Sequence, residues 1–257
     1  MPEYFQKVGF KSPNSQHDNP YTYAHQTGGK EFWEHIAQFP ARDKAMSETN
    51  RNNSEHQAWT IGLFPFHSEL RKFETTEDTV LLVDIGGGSG SVSKRLKELI
   101  AGIEGKIVLQ DRAVVLEGIE ELPGRELMAY DFFTPQPLQG ELPLMDTFSP
   151  LICIGALIYY IRHVLHDWSH DDCVLILKQV ALAMKPGASR LVISDSILPE
   201  TNVDIESTWM DIIMMAVGGS ERTQTQWEKM LDEAGFKLHQ TYQAPGTHYA
   251  AIEAYLK

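Results

Sequence analysis

Residues 80–90, VLLVDIGGGSG, constrain this chain more than any other stretch. Val80 to Val83 are apolar and read as a buried strand, closed by Asp84 and Ile85. Gly86, Gly87 and Gly88 then form a turn, with Gly90 two residues on. Beyond it, Val92, Leu96, Leu99 and Ile100 recur at helical spacing. A strand, a glycine turn and a helix N-terminus make a cradle. The missing side chains admit a ligand to the backbone, while free N–H groups and the helix dipole supply donors and positive potential.

The order that follows is regular. KIVLQ at 106–110 predicts a second strand ending at Asp111, residues 113–120 a short helix, and 125–129 a third strand closing on Tyr130, Asp131, Phe132 and Phe133. The fourth strand must lie within 151–161, and RLVIS at 190–194 is the fifth. Ser169 with Asp172, and Thr223 with Gln226, have capping-box spacing for helices running to Met184 and Ala234. Residues 205–216 predict an apolar helix, Gly235 a helix stop, and 236–242 with 249–256 an antiparallel hairpin. This alternation predicts an α/β chain with an open, mostly parallel sheet covered by helices. Ahead of it, residues 1–29 read as a loose polar arm. Residues 30–39 read as a short helix that Pro40 interrupts, and 55–73 as helical, broken near Gly62 and Pro65. The expected division is an N-terminal arm and helices over 1–75 and a ligand-binding domain over 76–257.

A chain of 257 residues is ample for one well-cored α/β domain. Its formal charge of -13 repels phosphate, which argues against nucleic-acid and anionic-membrane partners but leaves a small substrate open. Cys153 and Cys173 lie in apolar or helical contexts and give neither zinc spacing nor a disulfide framework. The first residues hold no long apolar core of a secretory signal, and the longest apolar run, 151–161, is too short to span a bilayer. A cytoplasmic setting is the expectation.

The glycine turn alone suits NAD, FAD or S-adenosylmethionine. Asp111, at the end of the second strand, is placed to accept both hydroxyls of an adenosine ribose. The turn reads GGGSG rather than the GxGxxG of a phosphate site, and Asp84 sets a carboxylate beside it. Asp131 adds a third acid at a third strand end. Acids so placed suit a cationic aminosulfonium cofactor better than a pyrophosphate. An NAD oxidoreductase fits the glycine spacing poorly.

Residues 162–172, RHVLHDWSHDD, form the densest polar cluster in the chain, between an apolar strand and a capped helix. His166 is the candidate base there. An imidazole has the right range to take a proton from a hydroxyl near pH 7, and an acid behind it fixes the tautomer and supports the imidazolium. His163 and His170 compete with it, His170 as a surface residue and His163 as one packed against the sheet. Nothing in the spacing requires a metal.

VDIGGGSG, LQD, YDFF, RHVLHDWS, SDSILP and GGSERT occur in this order across roughly residues 20–257. On these motifs the chain resembles the catalytic domain of S-adenosylmethionine-dependent small-molecule O-methyltransferases, the plant caffeate/flavonoid type and its fungal relatives. The resemblance implies a Rossmann-like methyltransferase fold with a seven-stranded, mostly parallel sheet and a C-terminal antiparallel hairpin. It implies methyl transfer from S-adenosylmethionine to a hydroxyl of a small aromatic secondary metabolite. Gly86 and Gly88 would line the methionine part of the cofactor, with Asp84 near it. Asp111 would hold the ribose, Asp131 and Phe132 would flank the adenine, and Trp168 would wall it. Arg162 stands where plant members have a cofactor-contacting lysine. His166 matches the general base; Asp195, a glutamate in plant members, and Glu221 match the acids that flank it. Met214 and Met215 fall in a segment that lines the phenolic pocket, and serve equally well as core.

Two features depart from the family pattern. Its members normally carry a winged-helix-like N-terminal domain that dimerises and contributes to the partner's substrate pocket. Here the resemblance reaches at most that domain's linker and helices. The stretch from Leu144 to Gly155 also lengthens the passage before the fourth strand, and an apolar insertion is an association surface. Homo- or hetero-oligomers would form through the N-terminal helices or this stretch. Two other activities remain open on the same fold: a non-methylating cyclisation, rearrangement or elimination, and a catalytically inactive partner or regulatory subunit.

Overall fold

The computed structural model describes residues 1–139 and 155–257. Strands β1 (Val80–Ile85), β2 (Lys106–Asp111), β3 (Arg125–Ala129), β4 (Ile158–Arg162), β5 (Arg190–Leu198), β6 (Arg222–Thr223), β7 (Phe236–Gln243) and β8 (Tyr249–Leu256) follow in chain order. Seven of them form one sheet in the order β3-β2-β1-β4-β5-β8-β7. The first five run parallel, and β8 pairs antiparallel with both β5 and β7. The Rossmann-like sheet with its terminal hairpin is the one expected. Fully buried runs such as Leu81 to Ile85 and Ile158 to Arg162 are what a parallel sheet covered on both faces requires.

Each sheet face has its own core. Val83, Tyr159, Ile161, Leu191 and Ile193 pack under α8 (His170–Ala183) and α10 (Gln224–Glu233). Leu82, Ile158, Tyr160 and Val192 pack under α6 (Ser91–Leu99) and the aromatic residues Phe64 and Phe66. Alternation along the strands divides the two sets.

Several elements differ from the sequence reading. Strand β5 runs on to Leu198, because Asp195 and Ser196 pair with Ala250 and Tyr249 of β8, which satisfies a polar stretch that looked like a strand end. The two-residue β6 pairs in parallel with Ile197 and Leu198. The short α7 (Ala113–Leu116) stops well before Glu120. Thr223 and Gln226 form a full capping box; Ser169 instead accepts from the Asp172 backbone and donates to its side chain. Pro40 does not end a helix but opens α4 (Pro40–His56), in the first turn, where proline's missing N–H costs nothing. That helix has no buried residue, so no apolar period announced it. The stretch from Leu144 to Gly155, with Cys153, lies outside the described residues except for Gly155, which is buried.

The largest correction is to the N-terminal arm, which is not loose. It folds as α1 (Pro2–Val8) and α2 (Pro20–His25), continues through α3 (Phe32–Ile36), and docks on α9 (Ile205–Val217). Asn19 is the fastener. Fully buried, it accepts from the Thr22 N–H and donates through Nδ2 to the carbonyls of Ser15, Gln16 and Val217. After α4, a 3-10 turn (Ala58–Leu63) and α5 (Phe66–Leu70) lead into β1.

Losing one cap acceptor and three donated bonds should release the arm without unfolding the sheet. Asn19→Ala is expected to cost about 1–2 kcal/mol. The check is hydrogen exchange and limited proteolysis: residues 1–29 become labile while β1 to β5 keep their protection.

Candidate active site

The strand order reverses between β1 and β4, so a crevice opens at their carboxyl ends, where open α/β sheets place ligands. Every candidate residue on a strand or in the turn after it arrives at this edge. Two glycines show why the turn after β1 is glycine-rich. A Cβ on Gly87 would lie 2.1 Å from Leu109 Cδ1 and 2.7 Å from Asp84 Oδ2, so the turn lies flat on the sheet edge. Gly88 has φ of 55°, a left-handed value that favours glycine, and open space where a Cβ would lie.

Asp84, at 1% exposure, has both carboxylate oxygens buried without a hydrogen-bond partner among the described residues. Burial lifts its pKa to about 7; Arg162 pulls against that and Asp111 adds to it. Asp111 accepts from the Gly88 N–H at 2.9 Å and from the Arg112 N–H at 2.7 Å, and burial raises its pKa too. Each of its oxygens keeps a free lone pair. Asp131 is exposed and accepts from the Phe133 N–H. Beside it Phe132 and Phe133 both meet Trp168 edge-on, with centroids at 5.5 and 4.8 Å. Phe133 belongs to this aromatic wall as much as Phe132 does, although the YDFF motif alone gave no reason to choose it.

Arg162 is placed differently from a free cofactor contact. Its guanidinium is 7% exposed and donates to Ser54 Oγ, the Gln57 carbonyl and Thr60 Oγ1. It ties the end of α4 and the 3-10 turn across the sheet edge, while its charge still acts on Asp84.

His166 lies in a 3-10 turn (Leu165–Asp167) directly after β4. Its Nδ1–H donates to Glu221 Oε1 at 2.9 Å, and Asp195 Oδ1 stands 3.6 Å from the same nitrogen. On the other side, Nε2 is 3.7 Å from Asp167 Oδ1. Burial depresses the imidazole pKa, but Asp195 and Glu221 outweigh it and raise the value to about 10. Asp195 is itself raised to about 6 by burial, with His166 opposing. One oxygen of Asp195 and one of Glu221 have no hydrogen-bond partner among the described residues. The ligand atoms of His166, Asp195 and Glu221 lie within 4.8 Å of one another, close enough for a metal ion as well as for a shared proton. The direct 2.9 Å bond to Glu221 favours the proton.

The loops that carry these groups interlock. The Ser220 N–H donates to the His166 carbonyl, and a Cβ on Gly219 would sit 2.1 Å from that oxygen. The Glu221 N–H donates to Asp211 of α9, and Gln16 of the arm donates to the Asp167 carbonyl at 2.8 Å. Gln16 and Asp211 had no local sequence signal, since both act through the tertiary fold. His163 stacks on His166 with centroids 5.5 Å apart, and has φ of 49°, a strained value for a side-chain-bearing residue. Burial, with Arg162 and His166 nearby, holds its pKa well below the usual histidine range, so it stays neutral. His170 pairs with Glu233 at the surface, away from the crevice. Met214 is buried and Met215 half-buried near the end of α9.

Comparisons with known proteins identify the family. The family model described as O-methyltransferase domain matches residues 11–237. O-methyltransferase kntB of Aspergillus niger is 39% identical over 99% of this chain, and afvC of Aspergillus flavus 39% over 100%. The chain spans 58% and 59% of their lengths. Demethylsterigmatocystin 6-O-methyltransferase stcP of Emericella nidulans is 40% identical over 68% of this chain and 78% of its own. Among solved structures, OxaC in complex with SAH and oxaline superposes with a TM-score of 0.87 at 28% identity, covering 100% of this chain and 62% of that one. A protein described as a pericyclic reaction enzyme superposes with 0.80 at 28%, over 100% and 63%. The chain belongs to the O-methyltransferase domain family.

Proposed function

We propose that this chain transfers a methyl group from S-adenosylmethionine to a hydroxyl of a small aromatic secondary metabolite, with His166 as general base. The observation that carries the reading is the His166–Glu221 bond, with Asp195 behind it, at the strand edge that also holds the glycine cradle. The residues fit the cofactor. Asp84 sets a buried carboxylate behind the glycine turn whose charge favours a cation there, Asp111 offers lone pairs to a ribose, and Phe132 with Trp168 offers aromatic edges to an adenine. When bound, the cofactor supplies an electrophilic methyl group on a sulfonium. Residues 76–257 are the cofactor-binding domain in this proposal, with Met214 and Met215 toward the substrate. A reducing, cytoplasmic setting suits the buried free thiol of Cys173.

The remaining chemistry belongs to the side chains. Glu221 occupies Nδ1 of His166, which leaves Nε2 to take the substrate proton. A base with a pKa of about 10 matches a phenol, itself near 10, so the proton moves with little free-energy change. Asp195 and Glu221 then hold the imidazolium. Incubation of the purified protein with labelled S-adenosylmethionine and a panel of phenols should give a product heavier by one methyl. His166→Ala should lose about 100-fold in kcat or more while cofactor affinity is kept. No transfer by folded, cofactor-binding protein refutes the proposal.

A second reading has one observation in its favour. His166 rests as an imidazolium, a hydrogen-bond donor able to stabilise negative charge in a cyclisation or rearrangement, and one of the superposed neighbours is described as a pericyclic reaction enzyme. Product mass separates the two readings, because such a reaction adds no methyl.

The raised pKa also sets a pH dependence. The base must shed its proton before it can accept another, so kcat/KM should climb with pH above 7. Glu221→Gln removes a charge that holds the proton, and its profile should rise about one pH unit or more lower, with a smaller plateau. Identical limbs in the two proteins would count against His166 as the titrating base.

Cofactor affinity should follow Asp84 instead. Its acid is neutral below about 7 and ionised above, and only the ionised form attracts a cation. Affinity should therefore rise from pH 6 to pH 8, with a proton released on binding, read by calorimetry in buffers of different ionisation enthalpy. Asp84→Asn should flatten the dependence; a parent affinity independent of pH removes Asp84 from the cation site.

A further inference from the structure

Arg222 is 2% exposed, yet among the described residues no carboxylate accepts a hydrogen bond from it. One terminal nitrogen donates to the Leu165 carbonyl at 2.8 Å and to the Ser220 carbonyl at 3.1 Å. The other donates to the Trp168 carbonyl at 2.7 Å and contacts Cys173 Sγ at 3.3 Å. The two short bonds bracket the turn that carries His166, one before it and one after. The guanidinium also lies over the Trp227 ring at 5.5 Å, and the indole N–H of that fully buried tryptophan donates to the Ser196 carbonyl, next to Asp195. Arg222 itself directly follows Glu221 and sits in β6, which pairs with β5 just beyond Asp195.

We propose that Arg222 is a positioning residue that fixes the His166 turn against the segments bearing Glu221 and Asp195, a role that rests on the reading of His166 as the base. The three members of the acid–base group come from three separate pieces of chain, and Arg222 is joined to all of them. A buried cation is costly unless its donors are matched. The planar fork repays that here by spanning two carbonyls three residues apart, which the single ammonium of lysine does not do. Its charge reaches Asp195 and Asp211 as well and favours their ionised forms.

Two substitutions separate geometry from charge. Arg222→Lys keeps the charge and loses the fork; Arg222→Gln loses both. Each should lower kcat by about 100-fold while the dissociation constant for S-adenosylmethionine changes by less than about threefold. The pH limb should stay in place in the lysine variant and move upward in the glutamine variant, because the acids around His166 lose a competing cation. In both, the His166 imidazole resonances of the cofactor-free protein should shift and broaden as the turn loosens. If Arg222→Gln fails to fold, Arg222→Lys with the same readouts decides. Unchanged His166 resonances, a kcat within about threefold of the parent, or a fall in kcat matched by an equal loss of cofactor affinity would each overturn the proposal. The resonance readout needs no turnover, so it stands even if the protein transfers no methyl group.

Discussion

One buried imidazolium between two buried carboxylates sets the terms for the rest of the site. Asp195 and Glu221 are 2% and 5% exposed, and two such acids without a cation would repel each other and resist ionisation. His166 supplies that cation, which is why its proton is held so firmly. The arrangement depends on the sheet order. β4 and β5 are parallel neighbours with Arg162 opposite Ser194, so the turn beyond β4 emerges beside Asp195. Glu221 reaches the same point because β6 adds to the far end of β5. That two-residue pairing ties the residue after Glu221 to the strand that carries Asp195.

The parts legible in the sequence were those in which a local signal and the tertiary fold agree. The strand at 106–111 matched the reading because a short apolar run ended in an acid, and the box of Thr223 with Gln226 matched because capping is local chemistry. The glycine turn and His166 stood out for the same reason. What stayed hidden has no local signature. Asn19 and Gln16 are ordinary polar residues until the arm folds back onto Val217 and Asp167. The helix from Pro40 to His56 buries nothing, so it has no period to read. Arg222 has no local signature beyond its place after Glu221, and only the three-dimensional path of residues 165–168 shows what it holds.

Arg162 and Arg222 solve one problem on opposite faces of the sheet. Each is buried, each donates to neutral oxygens, and each has acids within electrostatic reach. Arg162 lies on the face shared with Asp84 and Tyr160, and fastens residues 54–60 over it. Arg222 lies near Asp195 and Cys173 and fastens the turn that bears His166. The acids in the crevice would otherwise add up to a field too negative to keep ionised in a dry site. Arg162, held by Ser54, Gln57 and Thr60, and Arg222, held by the carbonyls of Leu165, Ser220 and Trp168, offset that field through space.

That placement also explains why the N-terminal segment packs where it does. A crevice lined by carboxylates at the open edge of a sheet would be flooded if nothing covered it, and water would weaken every interaction inside. The arm closes one side through Gln16 and Asn19, and the 3-10 turn after α4 closes the other through Arg162. Both contacts end on backbone or on Arg162 itself, so they cover the site without consuming an acid. The raised values of Asp84 and Asp195 are the electrostatic consequence of that cover, while the proton on His166 is held against it by Asp195 and Glu221. The strain at His163 is its conformational counterpart: the chain leaves β4 in an unfavourable backbone conformation, and the residue that adopts it stacks on His166. The local cost sits next to the His166 ring, where the surrounding bonds from Ser220, Gln16 and Arg222 hold the turn in place.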